Sequence, residues 1–296
     1  MSDSHSKKFP PSVMSLFDKY VHGLISRREF IDRASGMAVA GLSGAALLDA
    51  LNPKFAAAQQ VAPTDARLRT ESVEIPAPGY GKARGYLVQP VKAAGKLPVV
   101  LVVHENRGLN PHIEDVARRI ALENFVAFAP DALFPLGGYP GDEDKARALF
   151  QQLDQAKVRE DFLALAKYAK SLPAGNGKLG VVGFCYGGGM SNFLASHSPE
   201  IDAAVPFYGS PPAPADAPST KAPLLLQFAE QDERINAAWP ASEAALKSAG
   251  VKYQAYIYPA TQHGFNNDTT PRYDKDAAAL AWKRTIEFFN QHLRAS

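Results

Sequence analysis

Seven consecutive residues, Leu97–Val103 (LPVVLVV), carry no polar side chain, and they constrain this chain more than any other feature. So short and uniformly apolar a run reads as a strand buried on both faces, as in the centre of a parallel sheet. Residues 125–129, 179–184, 203–208, 223–229 and 253–258 read as further strands. Helical patterns alternate with them. Pro111 stands near the start of one, whose Ile113, Val116, Ala117, Ile120 and Ala121 share a face. Another lies near 239–249, and an amphipathic helix over 274–293 closes the chain. Residues 69–75 and 83–89 alternate apolar and polar around Pro78-Gly79-Tyr80-Gly81, the pattern of an antiparallel hairpin. Residues 130–144 form a Gly/Pro-rich loop. The fold class is therefore α/β: a mostly parallel central sheet flanked by helices, with right-handed crossovers.

Composition excludes several functions. The formal charge of +2 over 296 residues offers no electrostatic footprint for a nucleic-acid partner. Seven His and one Cys lack the spacing of a zinc cluster, and a single Cys cannot form an internal disulfide. No run approaches the roughly 18 apolar residues of a membrane span. A domain over 61–296 is long enough to bury a full core without a metal or disulfides.

Residues 1–60 differ from the rest. Ser26-Arg27-Arg28-Glu29-Phe30-Ile31 precedes an Ala/Gly-rich stretch over 34–48, and Ala56-Ala57-Ala58-Gln59 looks like a small-residue cleavage site. Together these resemble a twin-arginine signal, which implies a periplasmic or otherwise exported protein. The same residues support a second reading. Ser26 and Glu29 have the spacing of a helix capping box, and Phe17, Tyr20 and Val21 lie at helical spacing. That makes a retained helical arm of a cytoplasmic protein, packed on the body or on a second copy in a homodimer. Both readings stand at this point.

Gly183-Phe184-Cys185-Tyr186-Gly187 lies between an apolar strand and a helix expected from about Gly188. In that context G-x-S-x-G forms a strained turn that lifts a nucleophile to the sheet's carboxyl edge. The glycines are required because side chains would clash across the turn. The following helix aims its positive end at the sulfur and favours thiolate. A thiolate nucleophile needs a base, and the base needs an orienting acid. The order nucleophile, acid, His is met by Asp232, in Ala229-Glu230-Gln231-Asp232, and His263, in Gln262-His263-Gly264-Phe265. Each follows a strand, on the edge that carries Cys185. Glu230 and Glu233 are rival acids. His104 precedes the nucleophile and fits the order poorly. His5, His22, His197 and His292 read as arm or helix-face residues, and His112 as a residue bordering the pocket.

These residues resemble the dienelactone hydrolase (carboxymethylenebutenolidase) family of the α/β-hydrolase fold. The resemblance spans roughly 68–294 and includes Val103-His104-Glu105-Asn106-Arg107-Gly108 and Gly183–Gly189. It implies that Glu105 takes the thiol proton when substrate arrives. It also implies an oxyanion hole made by the backbone N–H groups of Tyr186 and Asn106. Family members grip a substrate carboxylate with arginines. Here Asn267 stands at one such position, and the loop 132–140 contains no Arg. Arg107, Arg234 or Arg272 are the available replacements, and Phe134 and Tyr139 point to a more apolar pocket or to loop packing.

The expected activity is hydrolysis of a small-molecule carboxylic ester or lactone through a Cys185-His263-Asp232 triad and a thioester, without metal or organic cofactor. A peptidase, an acyltransferase or a serine-type esterase relative on the same fold is the alternative, since fold does not fix reaction. A non-catalytic binding protein is the more distant one.

Overall fold

The computed structural model describes residues 9–37 and 41–294. Four helices come first: α1 (Pro11–Val21), α2 (Arg27–Ser35), α3 (Gly44–Leu51) and α4 (Phe55–Ala58). Then follow β1 (Leu68–Ala77), β2 (Gly81–Pro90), β3 (Leu97–Val103), α5 (Pro111–Leu122), β4 (Val126–Pro130), α6 (Glu143–Phe150) and α7 (Gln155–Lys170). The remainder is β5 (Gly175–Phe184), α8 (Tyr186–His197), β6 (Ala203–Phe207), β7 (Leu224–Gln231), α9 (Glu233–Asn236), α10 (Trp239–Ser248), β8 (Tyr253–Gln262) and α11 (Lys275–Leu293). Among the described residues no helix is long and apolar enough to cross a membrane.

The eight strands form one sheet in the order β1-β2-β4-β3-β5-β6-β7-β8. The β1–β2 hairpin lies antiparallel at one edge, and every pairing from β4 to β8 is parallel. This is the mostly parallel, helix-flanked sheet of the α/β-hydrolase fold. Strand β3 shows why its residues are all apolar. Val99, Leu101 and Val103 pack into the core on the face covered by α7 and α8, while Val100 and Val102 pack under α5 and α11. Period-two alternation puts successive side chains on opposite faces, and both faces are dry.

The amino-terminal helices build a small core of their own from Val13, Met14, Phe17, Tyr20, Phe30, Leu47, Leu48 and Leu51. The capping box at Ser26 forms: Ser26 Oγ accepts from Glu29 N at 3.2 Å, and Glu29 Oε2 accepts from Ser26 N at 2.7 Å. The Ala/Gly-rich stretch is not one continuous helix, since α2 ends at Ser35 and α3 begins at Gly44. His5 and residues 38–40 lie outside the described residues.

Candidate active site

The turn after β5 sets the site. Cys185 has φ 56° and ψ −111°, left-handed backbone that costs a non-glycine residue about 1–3 kcal/mol. Its N–H donates to Phe207 O at 3.0 Å, tying the turn to β6. A Cβ on Gly183 would sit 2.0 Å from Gly187 O, and one on Gly187 would sit 2.3 Å from Val103 O. Strand and helix thus approach so closely that only hydrogen fits between them. Helix α8 starts at Tyr186, two residues earlier than the sequence pattern indicates, because the turn itself is the cap.

Asp232 follows β7 and His263 follows β8, so both arrive at the edge that carries Cys185. His263 Nδ1 lies 2.6 Å from Asp232 Oδ2, with both side chains buried. A carboxylate oxygen only accepts, so Nδ1 carries a hydrogen whether the ring is neutral or charged, and Nε2 is the atom that exchanges a proton. That Nε2 is buried without a hydrogen-bond partner. A ring nitrogen of His263 belongs with Cys185 Sγ and a His22 ring nitrogen to a cluster whose atoms lie within 4.8 Å of one another. The rival acids are elsewhere: Glu230 accepts from Ala260 N at 2.8 Å, and Glu233 begins α9.

Burial alone would push the Cys185 thiol up; the imidazoles of His263 and His22 outweigh it and hold the thiol down at about 6. Burial likewise opposes the His263 imidazolium, but the Cys185 sulfur and the Asp232 carboxylate bring it up to about 10. The pair thus favours thiolate and imidazolium together, and its titrations belong to the pair rather than to either residue.

A cavity of about 580 Å³ opens beside the sulfur, lined by Cys185, Asn106, Tyr186, Tyr208, Gln155, Arg159, Asn192 and Arg234, among others. Both residues expected to supply oxyanion donors therefore face it. Tyr186 is the first residue of α8, so its amide has no partner four residues back within the helix.

The other expected residues are held differently. Glu105 Oε2 accepts from Asn267 Nδ2 at 3.0 Å, and Glu105 lines a separate small cavity with Val21 and Arg107. Asn267 thus holds Glu105. Arg107 is buried, donating to Asn106 Oδ1 at 2.7 Å and Val21 O at 3.2 Å. Phe134 lies under the Arg84 guanidinium, 4.6 Å from its carbon, and Tyr139 donates to Glu143 at 2.9 Å. None of Arg107, Phe134 and Tyr139 lines the cavity beside Cys185. Arg272 faces Asp18 at 3.3 Å, while Arg234 does reach the cavity. His112 lies on α5 rather than on a loop, pairs with Asp268 at 3.3 Å and does not line the cavity. His104 is buried and accepts from Ala132 N at 3.1 Å.

Four residues at the cavity escape a reading of the sequence. His197 lines it from the end of α8. Arg159 also lines it, carried on α7 with its guanidinium over Phe193. Tyr208 is buried with φ 35° and an unpartnered hydroxyl, its ring centroid 5.1 Å from that of His263. The largest surprise is His22, an arm residue by sequence, whose Nε2 stands 3.6 Å from Cys185 Sγ. Its only local signal is Asp18, four residues earlier on α1.

His22, Cys185 and His263 are also the described residues best placed to hold a metal ion. An Arg234 guanidinium nitrogen also lies 3.0 Å from His22 Nε2, the same ring nitrogen that faces the sulfur.

A family model described as "Dienelactone hydrolase family" matches residues 83–293, and one described as "YqhI-like" matches residues 1–39. The chain is 54% identical over 114 residues to the "Putative hydrolase fragment YghX" of Escherichia coli (strain K12), covering 38% of this chain and 97% of that one. It is 34% identical over 222 residues to a "Putative carboxymethylenebutenolidase" of the same organism, covering 70% of this chain and 82% of the relative. A crystal structure from Klebsiella pneumoniae subsp. pneumoniae MGH 78578, titled as a putative dienelactone hydrolase, superposes with a TM-score of 0.69 at 29% identity. That superposition covers 76% of this chain and 99% of the other. With its elbow, its sheet order and this match over most of its length, the chain belongs to the dienelactone hydrolase family of α/β-hydrolases.

Proposed function

We propose that the protein hydrolyses a small-molecule carboxylic ester or lactone, with Cys185 as nucleophile, His263 as acid and base, and Asp232 orienting the imidazole. The observation that carries this reading is the buried 2.6 Å contact between His263 Nδ1 and Asp232 Oδ2. It leaves an unpartnered Nε2 at a thiol on a strained elbow, in the wall of a cavity.

In this mechanism the substrate carbonyl rests against the amides of Tyr186 and Asn106. The Cys185 sulfur attacks the carbonyl carbon, and its π electrons move to oxygen. Two amide donors aimed at that oxygen contribute about 3–4 kcal/mol each, because they strengthen as charge develops. The alkoxy group leaves with a proton from His263, giving a thioester. His263 then takes a proton from water, the hydroxide displaces the sulfur, and acid is released. Glu105, held by Asn267, supports the Asn106 turn in this scheme.

A panel of p-nitrophenyl esters, small lactones and peptide amides tests the reaction class. Ester or lactone turnover that disappears in Cys185→Ala, with the circular dichroism spectrum kept, is the expected result. Undiminished turnover in that variant, or turnover of the amides alone, would overturn it.

A further inference from the structure

We propose that Asp18 and His22 of the amino-terminal arm form a second acid–imidazole pair at the catalytic sulfur, His22 taking the Cys185 thiol proton. The proposal rests on Cys185 being the nucleophile, and its test reads the thiol separately from turnover.

Sequence and local structure place the ring. His22 caps the carboxyl end of α1, and its Nδ1 lies 2.8 Å from Asp18 O and 3.3 Å from Asp18 Oδ1. Both are acceptors, so Nδ1 carries the hydrogen and Nε2 presents a lone pair. Nε2 lies 3.6 Å from Cys185 Sγ and 3.0 Å from an Arg234 guanidinium nitrogen, a contact that gives way when the ring takes the sulfur's proton. His263 and Asp232 repeat the same arrangement across the sulfur, and the two imidazole centroids lie 4.7 Å apart. The charged groups around His22 are Asp18, Arg272 on the far side of Asp18, Arg234 on Nε2, and His263. Burial opposes the charged ring, while Asp18 and Cys185 raise its affinity for a proton.

The arm is fastened at the point that bears the ring. Val21 O accepts from Asn106 Nδ2 at 3.1 Å and from Arg107 Nη2 at 3.2 Å. Tyr20 O accepts from Arg147 Nη1 at 2.5 Å, and the Tyr20 hydroxyl donates to Asp144. Arg27, half of the twin-arginine pair, reaches the same Asp144 at 2.7 Å. Asn106 both anchors the arm and lines the cavity, so arm position and site geometry are linked. His22 is itself part of the cavity wall with Cys185, so the arm borders the entrance and leaves the sulfur reachable.

Two imidazoles divide the protons of one cycle. The S–H bond breaks as a proton moves to His22 Nε2, and the sulfur pair forms the C–S bond. As the tetrahedral intermediate collapses, the C–O bond of the leaving group breaks and the alkoxide takes a proton from the His263 imidazolium. Water then gives a proton to His263 and its oxygen displaces the sulfur. The thiolate recovers its proton from His22, so the cycle consumes one water and returns both rings to their starting protonation.

The test compares the full chain with His22→Gln, His22→Ala and Asp18→Asn, each checked for an unchanged thermal melt. Iodoacetamide alkylation against pH reads the Cys185 thiol directly, whatever the substrate. The midpoint is expected to rise by about one pH unit in His22→Gln, as for loss of a neighbouring positive charge. It should rise less in Asp18→Asn. Turnover of a p-nitrophenyl ester, as kcat/KM, is expected to fall at least about 10-fold, the low side for a positioned base because His263 remains. Added imidazole should restore part of it in His22→Ala. An unmoved alkylation midpoint overturns the proposal, as does faster turnover in His22→Gln, which would make the arm a mere obstruction. A mature amino terminus beyond residue 58 by mass spectrometry overturns it too, because the ring would be gone. A wild-type chain that turns over no ester while the midpoint shift persists would sink the hydrolase reading and leave the pair standing.

Discussion

Asp232 Oδ2 and His263 Nδ1 meet at 2.6 Å from loops 31 positions apart, and the contact fixes which ring nitrogen faces the sulfur. Asp232→Asn replaces a pure acceptor by a group that also donates, so the ring can settle in the wrong tautomer. The expected consequence is a fall in kcat of about 10²- to 10⁴-fold with the fold retained. Steady-state kinetics with a chromogenic ester and a thermal melt of the same sample check it. A variant within threefold of wild type would show that another acid does this work.

The Cys185 thiol at about 6 and the His263 imidazolium at about 10 predict different pH profiles for two reactions of one sulfur. Alkylation needs only thiolate. Its rate should rise through about pH 6 and stay level above it, because raising pH past the thiol's titration only completes ionisation. In the proposed mechanism hydrolysis also needs a protonated ring to release the leaving group. Its kcat/KM should climb through the same acid limb and fall again as pH passes about 10. An alkylation midpoint near the ordinary thiol value of 9 would contradict this reading of the cluster.

Gly187 carries the strand-to-helix approach. Gly187→Ala would bring a Cβ within 2.3 Å of Val103 O and 2.8 Å of His104 O, both backbone atoms that cannot swing aside. The expected cost is about 1–3 kcal/mol of stability, read as a lower urea midpoint at unchanged m-value. Activity should fall further than stability, since the displaced strand end leads directly to Glu105 and Asn106. A neutral Ala substitution would mean the turn relaxes more freely than the packing indicates.

Much of this protein can be read directly from its residues. Leu97–Val103 is a strand at the same bounds in sequence and structure, because a run apolar at every position fits only an element buried on both faces. The elbow is equally legible, since Gly183, Cys185 and Gly187 answer a local steric problem posed over five residues. Strand ends deviate slightly: β8 continues to Gln262, past the apolar pattern, because backbone pairing to β7 persists where side chains no longer alternate.

What the sequence by itself determined was therefore the sheet, the strained turn, and the chain order of sulfur, carboxylate and imidazole, all carried by periodicity or short-range sterics. Tertiary structure alone decided that a second histidine shares the sulfur. His22 lies 163 positions from Cys185, and Asp18 four residues before it does not by itself point to the sulfur; packing of α1 on the sheet's carboxyl edge brings them together. The same packing turned Arg107 to the arm, and the fold put Asn267 on Glu105. Contacts between segments far apart in sequence depend on how whole elements stack, and one-dimensional spacing does not encode that.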